Sequence, residues 1–137
     1  MNHYIENSKN QYPDNIFISY KNQNITFLDF YHNVYTKSCS LTNLNFTDTS
    51  KVGILLSNPI DILELYFSCI QLNKVPIIFP TDITNDELQK IIDNYKINLI
   101  ATEWVRKPQA NSIKNSNFFS NINSIALLYS SKYGVFV

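Results

Sequence analysis

The fold is decided by residues 51–80, which read KVGILLSNPIDILELYFSCIQLNKVPIIFP. The run 51–56 is continuously apolar after its lysine, a pattern typical of a strand covered on both faces in a parallel sheet. It is followed by Ser57-Asn58-Pro59, a helix cap with a proline at the first helical position. Apolar residues at helical spacing then predict a helix to about Leu72, with Asn73 as a left-handed stop.

The segments that follow repeat this alternation of strand and helix. Val75–Phe79 is a second buried-strand pattern, and Pro76 within it favours an edge of the sheet or the first residues of the strand. A capping box at Thr84–Glu87 opens a helix through Tyr95, and Ile97–Ala101 is the next predicted strand. The order β-α-β-α-β argues for right-handed crossovers and a parallel, helix-covered sheet.

A smaller unit is predicted before this pattern. The first dozen residues favour a short helix that ends before Pro13. The β-rich run 16–20 and the turn residues 21–24 predict a small hairpin. Thr26 then stands at the cap position of a helix from about 27 to 43. The chain has only two glycines, so we expect Asn to take some left-handed turn positions.

The expected fold class is α/β, a partial doubly wound parallel sheet with flanking helices, preceded by a small N-terminal hairpin. Residues 105–123 are polar and rich in Asn and Ser, which predicts a surface loop. Residues 124–129 are apolar and predict a last strand. The length suits one domain, which we place over residues 1–137.

Composition excludes several classes of function. Eleven basic and eleven acidic residues cancel, so no net field attracts nucleic acid. No apolar stretch reaches the roughly 20 residues needed to span a bilayer, and the polar start lacks a signal-peptide layout. We therefore expect a cytoplasmic location. Cys39 and Cys69 are expected to be reduced packing residues, and no Cys/His grouping has metal-ligand spacing, so no metal site is expected.

Two segments carry a resemblance to a known family. ITFLDF at residues 25–30 is similar to the "(I/W)-T-(Y/F)-x-E-(L/F)" pattern of the adenylate-forming superfamily of acyl-CoA synthetases and peptide-synthetase adenylation domains. Asp29 stands where Glu is usual. Residues 51–80 resemble that superfamily's strand, capped helix and "G-A-(V/I)-x-(V/I)-P" return strand, with Asn73-Lys74 in place of Gly-Ala. Residues 84–102 continue the pattern.

The resemblance changes at the end of the chain. Members of the superfamily place a phosphate loop, "(S/T)-S-G-(S/T)-T-G-x-P-K", after a strand of the type found at residues 125–129. Here Ser130 and Ser131 fit the loop, whereas the residues that follow do not. A phosphate loop needs glycines so that backbone N–H groups can approach phosphate oxygens. We interpret the two serines as a degenerate cofactor-binding remnant, or as solvated residues.

The resemblance implies an N-terminal part of an acyl-activating ligase that uses ATP and Mg in full-length relatives. The residues that such relatives use for catalysis have no counterpart here, so we expect no catalytic residue, no cofactor bound by the chain alone and no activity by itself. The alternative is a scaffold lobe that pairs with a separately encoded catalytic part or with itself. Exposed apolar surface is expected in that case, at Leu127, Leu128, Tyr133, Val135, Phe136 and Val137. An unrelated flavodoxin-like domain would require a Gly-rich phosphate turn, which is missing.

Other polar residues receive structural explanations. His3 and His32 have no partner at useful spacing and are expected at or near the surface. Asp61 and Glu64 share one helical turn, and effects of the helix dipole explain their placement as well as a pair of catalytic carboxylates would.

Overall fold

A computed structural model describes residues 3–42, 51–97 and 99–102. Helices and strands occur in the predicted order, and their bounds agree with the predictions to within about two residues. The described elements are α1 (His3–Gln11), β1 (Ile16–Tyr20), β2 (Gln23–Thr26), α2 (Phe27–Thr42), β3 (Lys51–Leu55), α3 (Pro59–Gln71), β4 (Val75–Ile78), α4 (Asn85–Tyr95) and β5 (Leu99–Thr102).

The N-terminal unit is an antiparallel hairpin with two helices. β1 and β2 pair from Ile16↔Thr26 to Tyr20↔Gln23, so the loop is shorter than predicted and residues 23 and 24 belong to β2. Lys21 adopts φ 53° in this loop. The Thr26 hydroxyl accepts the N–H of Asp29 at 3.1 Å, as expected for a cap.

The second unit is a parallel sheet with strand order β4-β3-β5. β3 pairs in parallel with β4 on one side and with β5 on the other. The chain therefore leaves the central strand for one neighbour and then crosses to the other. Because both crossovers are right-handed by rule, α3 and α4 should cover opposite faces of the sheet.

Two separate apolar clusters agree with that arrangement. Val52 and Ile54 of β3 belong to the cluster that contains Leu65 and Cys69 of α3. Leu55, the next residue of β3, belongs instead to the cluster built around α4. Adjacent residues of a strand point to opposite faces, so the sheet is covered on both sides. The predicted doubly wound α/β architecture is confirmed for the described residues.

Helix ends follow the predicted local signals in α3 and α4. Asn58 caps α3 by accepting the N–H of Ile60 at 2.9 Å, and Asn73 beyond its end is left-handed at φ 58°. Thr84 and Glu87 form the reciprocal capping box of α4. The end of α4 was not foreseen, since Lys96 rather than an Asn takes the left-handed conformation there.

Within the described part of the chain β4 is an edge strand, and it carries Pro76, as predicted. The N–H of Phe79 donates to Ile54 of β3 at 2.9 Å. Backbone groups alternate sides along a strand, so the N–H of Ile77 also points to β3, and positions 76 and 78 point outward. Proline has no N–H, which leaves Ile78 as the outward backbone donor of β4.

The two cysteines have different environments. Cys69 lies in the sheet-facing core, whereas Cys39 is exposed, so the prediction of packing residues is correct for Cys69 and wrong for Cys39. On α2 the core positions are taken by Phe30, Val34, Ser38 and Leu41, and Cys39 lies outside that stripe. Burial raises the pKa of the Cys69 thiol to about 12, although the nearby Lys74 opposes this effect.

We expect the two thiols to react very differently with an alkylating reagent. At pH 8 Cys39 should be labelled within minutes, whereas Cys69 should be labelled only after unfolding, since it is buried and protonated. Intact mass should therefore show one adduct in buffer and two in urea.

The same shift predicts how stability depends on pH. The unfolded thiol ionises with a pKa near the ordinary value of 9.0. Stability from neutral Cys69 should thus be complete below pH 9 and decline as pH rises towards 12. In the labelling experiment, two adducts in buffer would contradict the burial of Cys69.

Several sequence predictions fall outside the described residues. They are the loop at 105–123, the strand at 124–129 and the candidate exposed apolar residues from Leu127 to Val137. Among the described residues, no helix is both long enough and apolar enough to cross a membrane.

Candidate functional site

The carboxyl ends of β3 and β5 form the candidate site. A chain that leaves a central strand for one neighbour and then returns to the other follows the first steps of the doubly wound order, in which ligands bind outside the carboxyl ends of strands. The last paired residues here are Leu55 and Thr102. The Thr102 hydroxyl is fully buried and donates to the Leu55 carbonyl oxygen at 3.2 Å. This bond fixes the relative height of the two strand ends.

The N-terminus of α3 lies at the same edge of the sheet, because α3 follows β3 directly. Its cap, Asn58, satisfies one N–H of the first turn, and Pro59 supplies no N–H. Asp61 lies in that first turn and is 2% exposed. A carboxylate in the first turn is stabilised by the helix dipole, so the structural explanation suits Asp61.

Glu64 needs a different explanation from the one that the sequence suggested. It lies beyond the first turn of α3, and its side chain is 0% exposed. One carboxylate oxygen accepts from Lys37 Nζ at 2.8 Å, and the other accepts from Asn33 Nδ2 at 2.7 Å. Both donors belong to α2. Glu64 is therefore half of a buried ion pair that joins two helices, and the dipole explanation is wrong for it.

Hydroxyl groups continue this polar contact along the interface of α2 and α3. The Ser68 hydroxyl is the donor to two backbone carbonyl oxygens, that of Glu64 at 2.7 Å and that of Val34 at 3.0 Å. Ser38 donates to the Val34 carbonyl at 2.8 Å. Among the described residues, no buried side-chain nitrogen or oxygen lacks a hydrogen-bond partner. The cluster thus holds α2 in one register on α3, whose N-terminus borders the candidate site.

Sequence reasoning missed Asn33, Lys37 and Thr102. A signal for the first two exists in retrospect: they are four residues apart on α2, and Glu64 is one of only two charged residues in α3. The spacing of residues along one helix does not reveal which residue of another helix they contact. Thr102 ends an apolar strand, which is the place where a polar side chain reaches the carboxyl edge.

The other candidate residues do not assemble into a chemical site among the described residues. His3 and His32 are exposed, as expected. Over residues 3–42, 51–97 and 99–102, no group of three or more His, Cys, Asp or Glu side chains could hold a metal ion. Ser130 and Ser131 lie outside the described residues, and their role stays a prediction.

Comparison with known families decides the kinship of this fold. Residues 5–130 match the family of AMP-binding enzymes. The chain belongs to the AMP-binding enzyme family. The match covers the N-terminal unit, the sheet, and the segment that contains Ser130. The resemblance inferred from residues 25–30 and 51–102 is thereby confirmed.

Individual relatives of this AMP-binding family member are distant in sequence. VraA of Staphylococcus epidermidis, assigned as a long chain fatty acid-CoA ligase, is 22% identical over 104 residues, which are 76% of this chain and 21% of that protein. Unliganded o-succinylbenzoate coenzyme A synthetase of Bacillus subtilis matches with a TM-score of 0.73 and 16% identity over 80% of this chain and 24% of that enzyme. Its complex with ATP and magnesium ion matches with a TM-score of 0.68 and 16% identity, over 73% and 27% respectively.

A third solved structure with this fold comes from another organism. The N-terminal subdomain of NpsA from Klebsiella oxytoca, in complex with anthranilyl-AMSN, matches with a TM-score of 0.68 and 9% identity over 73% of this chain and 26% of that chain. At these identities the likeness establishes the fold. The AMP-binding family member described here spans about a fifth of its curated relative and about a quarter of these solved chains.

Proposed function

We propose that this chain supplies the N-terminal lobe of an adenylate-forming, acyl-activating ligase and does not activate a carboxylate by itself. The observation that carries the proposal is the match of residues 5–130 to the AMP-binding enzyme family. In full-length enzymes of this kind, ATP and a carboxylate would give an acyl-adenylate and pyrophosphate, and a thiol would then take the acyl group as a thioester and release AMP. This lobe would contribute the parallel sheet and the helices that hold the sheet in place.

The sequence around the candidate phosphate loop supports the inactivity of the isolated lobe. Ser130-Ser131 are followed by KYGVFV rather than by the glycine-rich pattern of the superfamily. Gly134 is the one glycine in this segment, whereas a phosphate loop needs several glycines so that backbone N–H groups can approach phosphate oxygens. Within the described lobe, the candidate edge offers the buried hydroxyl of Thr102, which is already engaged with Leu55. Nucleotide binding by this chain alone should therefore be weak or absent.

Pyrophosphate release tests the proposal directly. The purified chain is incubated with Mg-ATP and, in turn, fatty, aromatic and amino acids, and we expect no release above that of ATP alone. Titration calorimetry with Mg-ATP should give no binding heat. Carboxylate-dependent release would refute the proposal. Micromolar ATP binding without release would instead mean that Ser130 and Ser131 retain a nucleotide site.

A second candidate is a scaffold lobe that pairs with a separately encoded catalytic part. The sequence feature behind it is the departure from the phosphate-loop pattern after Ser130-Ser131. This candidate predicts a neighbouring reading frame that begins with a phosphate loop. Co-expression of the two products should then give carboxylate-dependent pyrophosphate release that neither gives alone. If the pair is also inactive, the scaffold reading fails and the inactive lobe remains.

A further inference from the structure

Two contacts fix the course of α1 along α2. The carbonyl oxygen of Pro13, just beyond the end of α1, accepts the N–H of Leu28 in the first turn of α2 at 3.1 Å. Four residues earlier in the chain, Lys9 Nζ lies 4.3 Å from the centre of the Tyr31 ring, which is three residues later in α2. Steps of three or four residues are about one helical turn. α1 therefore runs antiparallel to α2.

Ile5 is the residue that anchors α1. One further turn along each helix brings Ile5 of α1 opposite Val34 of α2, and both side chains belong to one apolar cluster with Phe30. Ile5 is 1% exposed and is the buried residue among the nine of α1. The contact of Lys9 with Tyr31 adds less, since a cation over a partly exposed ring is held weakly. One side chain thus supplies most of the buried apolar contact of α1.

The chain immediately after α1 is held by backbone hydrogen bonds. Besides the bond from Leu28 to Pro13, the carbonyl oxygen of Asn15 accepts the N–H of Phe27 at 3.0 Å. Pro13 has no N–H with which to continue α1. A hinge at Tyr12 leaves both bonds, and the hairpin that follows them, in place.

We propose that α1 is a hinged flap, which detaches from α2 and returns while the remainder of the lobe stays folded. A helix of nine residues is marginal in water without a surface to pack on, so α1 loses its helical structure when it detaches. A local opening that breaks few apolar contacts costs less than global unfolding. The open state uncovers Val34, which is 0% exposed in the closed state. The position of α1 therefore controls access to the apolar side of α2 at Val34.

Thiol labelling in native buffer tests the flap. A Cys39→Ser/Val34→Cys chain carries one thiol under α1 and a second, Cys69, in the sheet-facing core. At pH 8, position 34 should be alkylated at least about tenfold faster than Cys69, because the flap opens more often than the whole lobe unfolds. Low urea should leave the rate at position 34 nearly unchanged and should raise the rate at Cys69, because global unfolding exposes far more surface. Peptide masses assign each adduct to its site.

Three further substitutions in this background separate flap opening from global unfolding. Ile5→Ala removes the anchor and should raise the rate at position 34 at least about tenfold. Asn10→Ala is the matched control, because it changes an exposed residue of α1, and it should leave that rate unchanged. Ile92→Val weakens the α4 cluster, far from the flap. It should raise the rate at Cys69 about fivefold and leave position 34 as it was, since the open flap keeps the sheet intact.

Equal rates and equal urea dependence at the two thiols would overturn the proposal. A rise at position 34 with Ile92→Val that equals the rise at Cys69 would overturn it as well, because position 34 would then be reached through global unfolding.

Amide exchange of the unaltered chain is a second measurement that needs no new thiol. The helical N–H groups of α1 should exchange at least about tenfold faster than those of α3, with little dependence on urea. Exchange of the α1 amides at the same rate as those of α3 would overturn the flap.

Discussion

Replacing Gly53 by alanine should lower the free energy of unfolding by about 2 kcal/mol, the middle of the range for overpacking a core. A Cβ atom at this position would lie 2.5 Å from Phe79 Cε2 and 3.1 Å from Ile100 Cγ1. The Phe79 ring is 3% exposed and belongs to the α4 cluster, so it cannot swing into solvent. The gain from a less flexible unfolded chain is about 0.5 kcal/mol, which does not offset the clash.

Urea unfolding of four proteins measures this effect. They are the parent chain, Gly53→Ala, Phe79→Leu and the double variant. Phe79→Leu alone leaves a void and should destabilise the fold, but the smaller side chain should make room for the new methyl group. The loss in the double variant should therefore be smaller than the sum of the two single losses. Simple additivity would mean that the ring does not contact position 53 in solution.

Replacing Lys37 by methionine should cost about 2–4 kcal/mol. The substitution keeps most of the aliphatic stem and removes the ammonium group, which leaves the fully buried carboxylate of Glu64 with Asn33 as its remaining donor on α2. Breaking a buried ion pair is expensive because the surviving charge is still desolvated. The Lys37 side chain keeps 15% of its exposure, so the value should lie below that of a completely buried pair.

A double variant separates charge burial from packing. Lys37→Met combined with Glu64→Gln leaves no charge at this contact, so it should recover much of the stability that Lys37→Met loses. Lys90→Met is the surface control, because Lys90 is exposed on α4, and it should change the free energy of unfolding by no more than about 0.5 kcal/mol. Denaturant midpoints decide the matter. If the double variant is as unstable as Lys37→Met, the ion pair is not the source of the loss.

Local signals explain why so much of the fold could be predicted from sequence. Asn58, Thr84 and Asn73 act on neighbouring backbone groups, and each specifies a helix end without help from distant residues. Apolar runs such as 51–56 specify strands in the same way. The structure therefore agrees with the predicted sequence of helices and strands and with the edge position of Pro76.

Contacts between distant residues could not be predicted in that way. Glu64 contacts Lys37, which lies 27 residues earlier in the chain, and nothing in the sequence of either helix indicates the other as its partner. The close approach of Gly53 to Phe79 depends on how β3 and the end of β4 are stacked. Cys39 looked like a core residue because buried cysteines are common, and only the packing of α2 turns it outward. The predicted remnant of a phosphate loop, Ser130-Ser131, lies outside the described residues, so it stays a prediction.

Pro76 determines at which edge the sheet can be extended by another strand. A strand added outside β4 would find one backbone donor, at Ile78, and would leave a carbonyl oxygen of its own unsatisfied beside the proline ring. The opposite edge has no such defect, since Leu99–Thr102 contains no proline. Any polypeptide that extends this sheet, whether from the same chain or from another, is thus directed to the side of β5. Pro76 thus disfavours regular strand pairing at the β4 edge, which is one way in which native sheets limit edge-to-edge association.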